Sequence, residues 1–319
     1  MAAVVMPAAQ SGEVGAQRIA FIVMVAFFLL GPLVLYPVFL MKVMCFALFA
    51  AAFNLLIGYV GLLSFGHAMF LGTAGYVCAH AAKVWGFPPE LAILAGTAAA
   101  CALGVVTGLL AIRRQGIYFA MITLALAQMI YFFYLQMPFT HGEDGIQAVP
   151  RGRLLGFIDL SNVWAMYGTV FVIFVAGFLL IYRTIHSPFG QVLKAIRENE
   201  ARTISLGYDT DRYKLAAYVI SATLAGVAGA TNALVFQLAA LNNVHWGMSG
   251  EVVLMTLLGG LGTIFGPVVG AMAVLAMENY LAQLGFWVTI VQGAIFVVCV
   301  LTFRRGIVGE LARLLKKPL

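Results

Sequence analysis

The chain has 319 residues, 63% of them hydrophobic and only 9% charged. An ordinary soluble domain carries about 25% charged residues, so a fold with water on every side is excluded and the bilayer is the solvent that this composition fits. The formal net charge of +6 would point to nucleic acid in a soluble protein; here the basic residues sit between apolar runs, where they set membrane orientation, and no nucleic-acid partner is expected.

Residues 1–18 read as a cytoplasmic N-terminal segment. The run from Ile19 to Leu40 is longer than a signal-peptide core and lacks a small-residue cleavage site, so it reads as the first span. A spanning helix needs about 20 apolar residues. Windows near 19–40, 43–60, 67–82, 91–112, 116–136, 163–183, 213–237, 249–262, 266–283 and 286–303 meet or approach that length. The expected architecture is an all-α polytopic bundle of about ten spans, some short or broken, over 19–303, followed by a basic cytoplasmic tail at 304–319. Cys45, Cys78, Cys101 and Cys299 lie far apart inside these runs, without the spacing of a disulfide framework or a metal site.

Charge tests the count. With Arg18 inside, ten crossings also place Arg113, Arg114, Arg183, Lys194, Arg197, Arg202, Arg212, Lys214, Arg304, Arg305, Arg313, Lys316 and Lys317 inside. Of the 18 basic residues this leaves Lys42, Lys83, Arg151 and Arg153 in outer connections, as the positive-inside rule requires. Both termini are then cytoplasmic. A nine-span alternative joins 249–283 into one helix; the cluster Gly259, Gly260, Gly262, Gly266 and Pro267 favours the split.

Two connections are long, 137–162 outside and 184–212 inside. Neither can hold a catalytic domain, and no Gly-x-x-x-x-Gly-Lys-Ser/Thr loop occurs, so ATP hydrolysis by that mechanism belongs to another chain. In the inner loop Ser187 and Pro188 form a helix start and Gly207 a stop. Between them Val192, Leu193, Ile196, Thr203, Ile204 and Leu206 recur at helical spacing against Lys194, Arg197, Glu198 and Arg202. Such an amphipathic helix can lie on lipid or dock a protein; Glu198 and Glu200 interrupt the basic face and favour protein.

Glycines cluster within apolar runs at Gly58–Gly75, around Ser64, Phe65, Gly66 and His67, and at Gly259–Gly270, around Gly260, Gly262, Thr263, Phe265 and Gly266. Each has a hydroxyl shortly before Phe-Gly. Non-helical backbone at membrane depth is tolerated where it is buried in protein or lines a wet cavity, and paired interrupted helices mark transporter pathways; close helix packing is the competing explanation. Asn54, Thr123, Gln128 and Gln237 each need a partner away from lipid, and His67 is either a hydrogen-bonded structural group or a path residue. The path candidates are thus Asn54, Ser64, Phe65, Gly66, His67, Thr123, Gln128, Gly260, Gly262, Thr263 and Gly266. Glu251 and Glu278 are the only acids at or near membrane depth, and no nucleophile, base or metal set converges in the spans.

The stretch SPFGQVLKAIRENEARTISLGYDTDRYKLAAYVISATLAGVAGA, Ser187–Ala230, closely resembles the loop and following span of the branched-chain amino acid ABC transporter permeases of LivM type. NLLIGYVGLLSFGHAMFLGTAGY (Asn54–Tyr76), RRQGIYFAMITLALAQMI (Arg113–Ile130) and SGEVVLMTLLGGLGTIFGPVVGA (Ser249–Ala271) agree with it in order and spacing. The resemblance implies an importer permease of the bacterial inner membrane. It would work with a LivH-type permease, two cytoplasmic ATPase subunits that use ATP and Mg, and a periplasmic substrate-binding protein, itself binding no cofactor. It also implies that the loop helix couples to the ATPase through Ser187, Pro188, Phe189, Gly190, Arg197, Glu198, Glu200, Ala201 and Gly207. Arg202 stands where the family's loop motif carries an alanine. Within the family the cargo can be a branched-chain amino acid, urea or a short amide; a passive channel is the alternative from another class.

Overall fold

A computed structural model describes residues 8–154, 156–281, 288–302 and 306–314. Arg304, Arg305, Lys316 and Lys317 of the expected tail lie outside them. Among the described residues the order is α1 (Ala8–Leu30), α2 (Pro37–Asn54), α3 (His67–Lys83), α4 (Pro89–Ala111), α5 (Ile117–Gln136), α6 (Val163–His186), α7 (Pro188–Glu198), α8 (Glu200–Ser205), α9 (Thr210–Phe236), α10 (Trp246–Gly259), α11 (Gly266–Leu281), α12 (Val288–Thr302) and α13 (Gly306–Leu314). The protein is an all-α polytopic bundle, and each of the ten apolar windows contains a helix.

Five helices are long and apolar enough to cross a membrane: α2 extended by a wide π turn to Val60, then α4, α5, α6 and α9. α3, α10, α11 and α12 have 17, 14, 16 and 15 residues. At 1.5 Å per residue each is shorter than a bilayer core of about 30 Å. The first two windows shift: α1 ends at Leu30, a 3₁₀ turn follows at Gly31–Leu33, and Pro37 opens α2, because proline is tolerated at the first position of a helix and not in its interior. Lys42 consequently lies inside α2 and not in a connection.

α2 is apolar on all sides and 94% buried over its spanning window, whereas α4 and α5 are 28% buried. A helix hydrophobic all round belongs in the middle; α2 is the axis and the other two face lipid. α3, α4 and α9 approach through small residues. A Cβ on Gly104 would lie 2.6 Å from Ala222 Cβ, and one on Gly226 2.5 Å from Ala100 Cβ. These glycines serve packing, as expected of membrane helices.

Two small antiparallel ladders mark one end of the bundle: β1 (Ile146–Gln147) with β4 (Leu238–Ala239), and β2 (Arg153–Leu154) with β3 (Ile158–Asp159). There Arg151 donates through Nη2 to the Val235 carbonyl at 2.7 Å and through Nε to Leu234 at 3.3 Å. It thereby caps the last turn of α9, where carbonyls lack intrahelical donors. α7 and α8 mark the opposite end.

Candidate translocation and coupling sites

After α2 the chain turns at Gly61, in the left-handed region at φ 84°, and runs without helix to Gly66. Phe65 N–H donates to Thr123 Oγ1 at 3.2 Å, Gly66 N–H to Ser64 Oγ at 3.2 Å, and Ala68 N–H to Ser249 Oγ at 2.9 Å. The free amides at the start of α3 are thus satisfied by hydroxyls from three places, as a buried helix end requires. A Cβ on Gly66 would stand 2.7 Å from the Thr123 carbonyl. The α3 start lies inside the bundle, because His67 Nε2 meets Ser221 Oγ, near the middle of α9, at 2.8 Å.

Ser221 Oγ donates to the Ala52 carbonyl at 2.5 Å. Its single hydrogen is committed there, so His67 is the donor through Nε2. The ring is fully buried and edge-on to Phe53, Phe70 and Tyr218. Here His67 ties α3 to α9 and, through Ser221, to α2.

The second break, 260–265, is a tight turn with Gly260 at φ 124° and Gly262 at φ 75°. Thr263 Oγ1 accepts from Gly266 N–H at 3.1 Å and donates to the Gly260 carbonyl at 2.8 Å. The hydroxyl before each Phe-Gly pair therefore has the same task, closing the turn ahead of the next helix. Asn54, at the end of α2, ties that helix to the second break: Nδ2 donates to the Thr263 carbonyl at 2.8 Å and Oδ1 accepts from Gly262 N–H at 3.1 Å. Eight of the eleven path candidates thus meet in or beside the two breaks; of the others, His67 and Thr123 hold the start of α3 and Gln128 stands apart. Gln128 is half-buried on α5 and enters none of these hydrogen bonds among the described residues.

The inner loop is two helices where the sequence pattern suggests one. Ser187 caps α7, accepting from Gly190 N–H at 3.3 Å. Asn199 leaves helical geometry at φ −158°, ψ 97°, and its Oδ1 accepts from Arg202 N–H at 3.0 Å. A side-chain acceptor that competes for backbone amides ends one helix and starts the next. Gly207, at φ 89°, and Asp209, whose Oδ1 accepts from Arg212 N–H at 3.4 Å, then turn the chain into α9. Phe189 stacks on Tyr213 at 5.6 Å between centroids.

The split rotates α8. Leu193, Ile196 and Thr203 are buried, but Ile204, Leu206 and Tyr208 are exposed beside exposed Glu198, Ala201 and Arg202, so Ile204 and Leu206 are not on the inward face that a single helix would give them. Glu200 turns inward as well. Its Oε1 accepts from Thr210 Oγ1 at 3.1 Å and pairs with Lys214. Lys214 is 2% exposed and therefore belongs to the interior, not to the loop surface where charge counting places it. Sequence reasoning also passes over Ser221, Ser249 and Arg151, whose partners are remote in the chain. A second set of ionisable groups, partly exposed, lies on α2, α10 and α11: Lys42 Nζ is 3.2 Å from Glu278 Oε2, and Glu251 sits against Glu278.

A family model described as "Branched-chain amino acid transport system / permease component" matches residues 37–300. The chain belongs to this family. It is therefore a permease of the ABC transporter family and a multi-pass membrane protein, working with other transporter subunits. Among its relatives, the permease is 24% identical over 83% of its length to the high-affinity branched-chain amino acid transport system permease protein LivM of Escherichia coli strain K12, covering 68% of that protein. It is 29% identical to the xylose transport system permease protein XylH of the same strain over 52% of this chain and 44% of the relative. For the ribose import permease protein RbsC of that strain the figures are 26%, 66% and 68%. No solved structure matches.

Proposed function

We propose that this permease is one half of the translocation path of an ABC importer for branched-chain or related aliphatic amino acids. A second, LivH-type permease supplies the other half, two cytoplasmic subunits hydrolyse ATP with Mg, and a periplasmic binding protein delivers the cargo at the strand end. The bundle sits in the bacterial inner membrane with α7, α8 and both termini in the cytoplasm, the orientation that the distribution of Lys and Arg supports.

The observation that carries this reading is the surface of α7 and α8. Ile204, Leu206 and Tyr208 form an exposed apolar patch bordered by Glu198 and Arg202. Apolar patches rimmed by polar groups mark protein contacts, and this one lies on α8 and the turn after it, next to α7, whose Arg197 borders both breaks, where an ATPase subunit would have to push. A channel has no use for such a surface. For cargo, the similarity to LivM extends over 83% of this chain, against 52% for the xylose and 66% for the ribose permease, which favours amino acids over sugars.

The test is reconstitution of the co-encoded complex in proteoliposomes with labelled leucine, ribose and urea offered in turn. ATP-dependent accumulation of leucine is expected. Uptake of ribose or urea in its place would overturn the cargo, and equilibration without ATP would overturn the importer.

A further inference from the structure

We propose that Arg197, an exposed residue of α7 whose guanidinium reaches inward, is the tie that carries movement of α7 into both broken segments, a positioning residue for transport. This rests on the reading of α7 and α8 as the ATPase-facing surface. Arg197 Nη1 donates to the carbonyl of Gly58, inside the π turn that ends α2. In that turn the amides of Gly61 and Leu62 both go to the Leu56 carbonyl, so the Gly58 carbonyl receives no donor from its own helix. A cation is the favoured occupant of such a helix end. Lys194, one turn earlier on α7, stands over the Tyr59 ring at 5.8 Å and adds a second positive charge to the same end.

The same guanidinium borders the second break. A Cβ on Gly262 would lie 3.2 Å from Arg197 Nη1 and 3.3 Å from the Gly58 carbonyl, and a Cβ on Gly61 3.2 Å from Arg197 Cγ. The arginine stem thus crosses the turn after α2 while its head fills the gap between the breaks. No carboxylate lies within ion-pair distance of Arg197 among the described residues; its partners are backbone. On the far side Gly306 of α13 abuts the second break, where a Cβ would come 2.5 Å from Gly260 N. The turn at 260–263 is therefore held between α7 and α13, and Asn54 locks it to the end of α2. A shift of α7 reaches both through one planar group, which a lysine, a point charge on a flexible stem, cannot reproduce.

The test compares Arg197→Met, which keeps the stem, and Arg197→Lys with the wild type. Hydrogen exchange is read on the full-length chain in lipid nanodiscs, and ATP-driven uptake on the reconstituted complex. In Arg197→Met the amides at 59–63 and 260–263 are expected to exchange at least about tenfold faster, as for loss of a charge-assisted bond. Uptake should fall by a similar factor while the ATPase subunits still co-purify and hydrolyse at their basal rate. Arg197→Lys should restore protection near residue 61 but not at 260–263, and should leave uptake low. Unchanged exchange overturns the tie, as does loss of ATPase co-purification with exchange unchanged, or faster exchange with full uptake. If Arg197→Met does not assemble, Arg197→Lys alone decides: full protection at 260–263 with full uptake overturns it. Absence of ATP-driven uptake in the wild-type complex would instead fail the proposed function, with the exchange experiment still reporting on the tie.

Discussion

The two broken segments carry the same local signature and are supported in opposite ways. In the first, Ser64, Thr123 and Ser249, all fully buried, hold the amides of Gly66, Phe65 and Ala68 at the α3 start, and His67 adds a link through Ser221 to the backbone of α2. The second closes on its own Thr263 and is otherwise held by Asn54 from α2 and bordered by Arg197 from α7. One is built into the core from three helices. The other is tied to the end of α2 and bordered by α7 alone of the loop helices, with Leu261 exposed. Equal sequence patterns are thus supported differently, because the difference lies in which distant side chains arrive.

The largest effect is expected at the buried ion pair that joins α8 to α9, outside both breaks. Glu200→Ala leaves the Lys214 ammonium buried without its carboxylate, which costs about 3–5 kcal/mol. Thermal unfolding in detergent should show it, and Lys214→Met in the same chain should recover most of the loss. If the single variant unfolds like the wild type, α8 is not held by this pair.

Bulky substitution at either glycine separates the breaks by function. Gly66→Leu and Gly266→Leu force a side chain against backbone and cost about 1–3 kcal/mol, and each should abolish uptake while the chain still inserts and assembles. Normal transport by both would show that neither glycine sits at a required close approach. Thr123→Val is the matched probe of the first break. It keeps the shape, leaves the Phe65 amide unpaired and costs about 1–3 kcal/mol, so it should lower stability more than transport. Asn54→Ala, which frees the second break, should do the reverse, and a larger transport defect in Thr123→Val than in Asn54→Ala would invert the comparison.

Gln128→Ala, away from both breaks, is expected to stay within about 0.5 kcal/mol of wild type in stability and to transport normally. The smallest effect belongs to the strand end. The Ser161 amide donates to Asp159 Oδ1 at 2.9 Å and holds this exposed carboxyl below the usual carboxylate range. A depressed native value means that the bond supports the β2–β3 hairpin above the usual carboxylate pKa and is lost as pH falls through the depressed one. Local exchange protection at 159–161 should follow that titration while both breaks remain unaffected.

Chain composition and apolar run length determined by themselves that this is an all-α polytopic membrane bundle, five of whose described helices are long and apolar enough to cross, because these properties depend on the bilayer and not on partners along the chain. Local chemistry also placed the starts and stops at Ser187, Pro188 and Gly207, and marked both breaks by their glycines and hydroxyls. Helix boundaries near Pro32 and Pro37, and the division of the inner loop at Asn199, depend on which residue wins a local competition for backbone amides, and periodicity alone averages over that. Only the tertiary structure decided that Glu200 faces Lys214, that His67 donates to Ser221, that Asn54 spans to Gly262 and Thr263, and that Arg197 reaches Gly58. Each of these joins a residue to a backbone or side-chain group far away in the sequence, and in a nearly dry interior a polar group's role is set by the partner that satisfies it.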